Sequence, residues 1–202
     1  MRDERLEQIL PLVEKPARYV GNEWGSIHKN AQEVLTRVAF CFPDVYEVGM
    51  SHLGMKILYH LLNTREDTWC ERVFAPWVDM EEKMRQESIP LFAMESGDPV
   101  GGFDFLAFTL QYEMSYTNIL NMLDLAGVPL LASERGEGAP FVMAGGPCAY
   151  SAECLADFVD FFQLGEGEEM MMEVMDCYAD WKKRGGTRQE FLLDVSKIDG
   201  IY

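Results

Sequence analysis

The chain has 202 residues, 48% of them apolar and 12% aromatic, enough for a sizeable core and too apolar for a disordered chain. Its 34 acidic against 17 basic side chains leave a formal charge of -17, which argues against a surface that binds nucleic acid or anionic membrane by neutralising phosphates. No apolar run reaches the ~18 residues that span a bilayer, the N-terminus lacks a signal peptide's apolar core, and five cysteines at scattered positions suggest reduced thiols in a cytoplasmic protein.

Taken in order, Leu6, Ile9, Leu10 and Val13 recur at helical spacing, which predicts a short amphipathic helix over 3–13, limited by Pro11 and Pro16. Gly21-Asn22, between Tyr19, Val20 and Trp24, is a turn signal for a hairpin. Residues 1–36 are therefore expected to form a small N-terminal extension. The run RVAFCF at 37–42 reads as the first buried strand. A loop, PDVYEVGMS, follows it. A helix over 52–62 comes next, from Leu53, Ile57, Leu58, Leu61 and Leu62.

A second strand is predicted at 71–75, a helix at 78–86 and a short extended piece at 89–93. The run DFLAFTL at 104–110 is a third strand, followed by a helix over 115–126 that Gly127 and Pro129 stop. After a polar loop at 133–140 come strands at 141–144 and 158–164. The last long helix, 167–183, carries Met170, Met171, Val174, Met175 and Tyr178 as a stripe, with Lys182, Lys183 and Arg184 suiting its C-terminal dipole. A short helix at 187–195 closes the series. Strands and helices alternate five times, so the expected fold is α/β: a three-layer, flavodoxin-like or Rossmann-like sandwich around a five-stranded, mainly parallel sheet; five strands suggest the order 2-1-3-4-5, which is not itself readable from the sequence. Residues 37–186 would form this domain, and 187–202 a linker.

Familiar catalytic motifs fail one by one. Gly49-Met50-Ser51-His52-Leu53-Gly54 has Leu53 where a nucleophile elbow needs glycine. Gly165-Glu166-Gly167-Glu168 has Met170 at the third glycine of a dinucleotide fingerprint, and its carboxylates would repel a phosphate. His52 and His60 would lie about 12 Å apart along a helix, too far to share an ion. Cys148 and Cys154 lack a Cys-x-x-Cys partner, so no metal site and no catalytic residue is assigned. What remains is one edge. In an open parallel sheet ligands bind outside the carboxyl ends of the strands, which here carry the loops at 43–49, 109–112, 145–147 and 165–167.

The strand ending in Gly145-Gly146-Pro147, the connection at 148–156, and then DFVDFFQLGEGEE at 157–169 resemble the end of the cobalamin-binding-type domain that precedes many radical S-adenosylmethionine (SAM) cores. The stretches RYVGNE at 18–23, FPDVYEVGMS at 42–51 and FTLQYEMSYTN at 108–118 are similar to an uncharacterised radical SAM family with such an N-terminal domain. The resemblance implies an accessory role: covering the catalytic barrel of its own radical SAM core and contacting cofactor or substrate. Asp44, Tyr46, Glu47, Thr109, Gln111, Tyr112, Gly145, Gly146, Gly165 and Glu166 would line the contact edge, the polar groups bonding corrin amides and the glycines giving room.

Two departures qualify what is implied. The Asp-x-His-x-x-Gly motif that ligates cobalt has Val45-Tyr46-Glu47 after Asp44, so cobalamin would bind without a protein ligand. The Cys-x-x-x-Cys-x-x-Cys motif is absent, so the 4Fe-4S cluster and S-adenosylmethionine would belong to a core downstream of Tyr202, and this stretch alone would not be catalytic. Two alternatives stand beside this: a ligand-free structural docking module, and a flavodoxin-type flavin binder, for which PDVYEVGMS is a poor phosphate loop.

Overall fold

In the computed structural model, which describes residues 3–202, the apolar run at 36–42 forms β1 (Thr36–Phe42). It pairs in parallel with β2 (Thr68–Phe74) on one side and β3 (Phe105–Thr109) on the other; β4 (Phe141–Gly145) and β5 (Phe161–Gln163) extend the sheet in the order β2-β1-β3-β4-β5. This is the expected five-stranded α/β architecture. Side chains alternate across each strand, and both faces are apolar. Ala39, Cys41, Leu106, Phe108, Val142 and Ala144 belong to one core cluster; Val38, Phe40, Phe105, Ala107, Phe141 and Met143 belong to the other.

The first face is covered by α1 (Glu4–Ile9), α4 (Val78–Gln86) and α5 (Tyr116–Leu125). The short helix α2 (Tyr46–Ser51) follows β1, and the second face is covered by α3 (Leu53–Thr64), α6 (Gly167–Arg184) and α7 (Arg188–Val195). Phe105, Phe141, Tyr178, Trp181 and Phe191 form an aromatic cluster that seats α7 on α6 and the sheet, with neighbouring ring centroids 4.4–6.1 Å apart. Gly185, at φ 73°, ends α6 in the left-handed conformation that glycine adopts without a Cβ penalty. Thr187 and Glu190 form a capping box that starts α7.

Three local expectations are corrected. The loop at 43–51 contains α2, because Val48 and Gly49 N–H both bond the Val45 carbonyl while Gly49 lets the turn lie against Phe42 and Phe74. Gly21 and Asn22 do turn, with φ of 68° and 62°, but no strand flanks them. Instead, Pro16–Tyr19 is a 3-10 turn, the Tyr19 hydroxyl accepts from Trp77 N at 3.0 Å, and Gly21 passes close to the Met94 carbonyl. The N-terminal helix is shorter than expected, since Leu10–Leu12 tightens into a 3-10 turn around Pro11. The first two residues of the extension assigned to 1–36 lie outside the described residues.

Both sheet margins are covered. Beside β2, Met94 N bonds the Arg72 carbonyl at 2.9 Å, and the Glu95 carboxylate takes Arg72 N at 2.7 Å. Beside β5, residues 200–202 run antiparallel: Phe162 N reaches Tyr202 O at 2.7 Å and Leu164 N reaches Gly200 O at 2.8 Å.

Candidate functional site

The carboxyl ends of β1, β3, β4 and β5 open onto one cleft of about 280 Å³ between the starts of α3 and α6. It lies beside the β1/β3 switch point, where successive crossovers leave in opposite directions and a crevice forms. Its walls are apolar: Phe40 and Ala107 from the sheet, Met143 from β4, Leu58 from α3 and Met171 from α6. Gly54, Gly145, Gly146, Gly165 and Gly167 also line it, so backbone rather than side chain forms much of the rim.

A directed chain of hydrogen bonds crosses the floor. His52 caps α3, its Nδ1 accepting from Met55 N at 3.2 Å. Nε2 therefore carries the ring hydrogen and donates to Gln111 Oε1 at 3.0 Å. Gln111 Nε2 donates in turn to Thr109 Oγ1 at 2.5 Å. Gln163 lies across from this chain on β5, opposite Gly145 in register. It is 5% exposed, and its amide Nε2 is buried without a partner among the described residues. A Cβ at Gly145 would come within 3.4 Å of Gln163 Cβ, and one at Gly146, where φ is 105°, within 3.0 Å of the Leu110 carbonyl. The two glycines keep this part of the cleft open.

Of the ten residues singled out from the sequence, Thr109, Gln111, Gly145, Gly146 and Gly165 line the cleft. The others sit around it or apart. The Asp44 carboxylate accepts the Tyr112 hydroxyl at 3.0 Å, and that bond raises the phenol's pKa. Tyr46 packs edge-on against Phe74 at 5.5 Å, and its burial raises its pKa. Glu47 pairs with Arg18 at 2.9 Å and Lys15 at 3.4 Å. Glu166 precedes α6 and borders a separate hollow with Lys197. His52 and Gln163 line the cleft without having been among the ten. A polar residue just before an apolar helical stripe, and a lone amide inside the buried run FFQL, were the signals for them.

Chemically the cleft is uncharged on its floor and acidic at its mouth, where Glu168 stands in the first turn of α6. It suits a flat neutral group better than a phosphate. Among the described residues no group of three or more His, Cys, Asp or Glu could hold a metal ion, and no helix is long and apolar enough to cross a membrane.

Comparison with known proteins adds a lineage. Residues 54–202 match the family described as radical SAM proteins, N-terminal. An uncharacterized protein of Methanocaldococcus jannaschii is 27% identical over 174 residues, covering 84% of this chain and 32% of that protein. The chain thus spans about a third of the length of this curated relative. No solved structure matches.

Proposed function

Since the chain belongs to the family of N-terminal regions of radical SAM proteins, we propose that it is the accessory domain of a radical SAM enzyme and that its strand-end cleft receives the heterocyclic tail of cobalamin. The observation that carries this is the cleft itself: apolar walls, a glycine rim and an uncharged polar floor at the sheet's carboxyl edge. At about 280 Å³ it lies just below the roughly 300–1,000 Å³ that holds drug-sized ligands. One fused ring system fits; a corrin macrocycle does not, and would stay outside, over the rim.

The residues present fit that division. Phe40, Leu58, Met143 and Met171 offer apolar faces to a flat ring, while Gly145 and Gly146 let it approach the backbone. His52 has both ring nitrogens engaged, by Met55 and Gln111, so no histidine of the cleft is free to ligate cobalt. Cobalamin, when bound, supplies alkyl-group or electron transfer; this chain's residues hold the tail and keep water from it. Val48, Leu53, Tyr112, Met114 and Tyr150 are exposed around the strand-end loops, an apolar rim suited to the radical SAM core that would close over it. A flavin is less well served, because Glu168 lines the same cleft and would repel its phosphate.

The test is a titration of the full-length protein with hydroxocobalamin and methylcobalamin, followed by visible absorbance and calorimetry. Saturable micromolar binding is expected, at least tenfold weaker in Gly145→Trp, whose indole would fill the cleft. Absence of binding by folded full-length protein refutes the reading and leaves a ligand-free docking module.

A further inference from the structure

We infer that Gln163 is a ligand-recognition residue, and that the group entering the cleft is an uncharged planar heterocycle presenting a hydrogen-bond acceptor to the Gln163 amide. This deepens the reading above and rests on the cleft being a binding site.

Two buried side-chain nitrogens lack a partner among the described residues, Arg37 Nε and Gln163 Nε2. The first has a structural explanation. The Arg37 guanidinium lies 4.0 Å from the Phe103 ring centroid and 5.0 Å from that of Trp69, and its other nitrogens bond Glu71, Asp98 and Ser96. Aromatic faces take the place of an acceptor for a cation held this way.

Gln163 has no such cover. Its neighbour in register on β4 is Gly145, which has no side chain, and its neighbour on the other side is Ile201, which is apolar. The nearby amide of Gln111 is already committed to Thr109 and His52. Yet Gln163 is 5% exposed and lines the cleft. A buried N–H without an acceptor opposes folding, so such groups are rare and call for an explanation. An acceptor brought by a ligand supplies one.

The surroundings define that acceptor. Glu168 borders the same cleft, so an anionic oxygen would meet a like charge. A neutral ring nitrogen or ring carbonyl meets none. Thr109, whose oxygen accepts from Gln111, keeps its own hydroxyl hydrogen and lines the same cleft. The apolar walls account for planarity, and the donors account for orientation.

Benzimidazole and indole separate shape from hydrogen bonding, because they share size and flatness but only benzimidazole carries an acceptor nitrogen. Both are titrated into the full-length protein by calorimetry, alongside the Gln163→Met variant. Benzimidazole is expected to bind wild type about tenfold or more tightly than indole, as a charge-neutral hydrogen bond to a buried orphan implies. In Gln163→Met the two affinities should fall within about twofold of each other, with no loss of thermal stability, since the substitution removes an unsatisfied donor.

The side-chain amide resonances of Gln163 in ¹⁵N-labelled wild type give a second readout that needs no variant: benzimidazole should move them and indole should not. Equal binding of both probes with unmoved amide signals overturns the assignment of Gln163 while leaving the cleft as a binding site. Binding of neither probe also overturns the assignment of Gln163, and the cobalamin titration then decides the cleft.

Discussion

Replacing Asp160 by asparagine tests how the loops ahead of β4 and β5 are held. The Asp160 carboxylate is 2% exposed, and its Oδ2 accepts from Arg135 Nη1 at 3.0 Å, Arg188 Nη2 at 2.8 Å and Val142 N at 2.7 Å. Arg135 is fully buried, and desolvation pushes its guanidinium pKa down. It also ties the carbonyls of Pro129, Leu130 and Phe158, while Arg188 ties those of Ala139 and Pro140. Arg135 and Arg188, which join α7 to both loops, thus share one carboxylate.

Asparagine keeps the volume and an acceptor for Val142, so the substitution isolates the charge. Breaking a buried ion pair by removing one partner costs about 3–5 kcal/mol, a large part of the roughly 5–15 kcal/mol that holds a domain together. With a urea m-value of about 2–3 kcal/mol/M, the midpoint should fall by about 1–2.5 M. The assay is urea unfolding of wild type and Asp160→Asn at pH 7, read by tryptophan fluorescence and circular dichroism. Adding Arg135→Met to the variant should restore part of the loss, because it removes one uncompensated charge. A midpoint shift below about 0.3 M at unchanged m-value would refute the reasoning and mean that the carbonyls alone satisfy both guanidinium groups.

Two further outcomes follow from side-chain environments. Cys154 is exposed, whereas Cys41 and Cys70 are buried with their thiols pushed upward by desolvation; a thiol reagent at pH 8 should label Cys154 first and reach Cys41 and Cys70 only on unfolding, as peptide mass mapping would read. The Arg65 guanidinium, bonded to both oxygens of Asp67 at 2.9 Å, lowers the Asp67 pKa; the folded value then lies below the unfolded one, so the stabilisation is present above the unfolded pKa and lost as pH falls through the folded one. Wild type should therefore lose more stability than Asp67→Asn between pH 6 and pH 3, and parallel losses in urea titrations would contradict this.

The sheet was legible in the sequence because parallel strands buried on both faces read as apolar runs. Where that rule lapsed, boundaries slipped. β2 starts at Thr68, three residues ahead of the expected strand, because Thr68, Trp69 and Cys70 pair with Thr36, Arg37 and Val38. β5 is only Phe161–Gln163 because Phe158 closes a turn on Leu155. Helix α2 was hidden behind Pro43 and Gly49, residues that usually mark loops.

The edge that carries the cleft follows from topology, which is why Thr109, Gln111, Gly145, Gly146 and Gly165 arrive there together. Tyr46 and Glu47 were drawn away by α2, which turns them toward Phe74 and Arg18. His52 and Gln163 matter only through tertiary approach: one by reaching Gln111 across the floor, the other by what fails to reach it.

The covered margins of the sheet set a direction for assembly. An open sheet can recruit a partner by adding a strand, and that route is also the one to uncontrolled association. Here the segment at Met94 and Glu95 occupies one flank and residues 200–202 occupy the other. Among the described residues, the edge groups of Arg72, Phe162 and Leu164 are already bonded within the chain. A neighbour that met the ends of the strands would dock by shape and side chain rather than by backbone pairing, and could leave without unzipping the sheet.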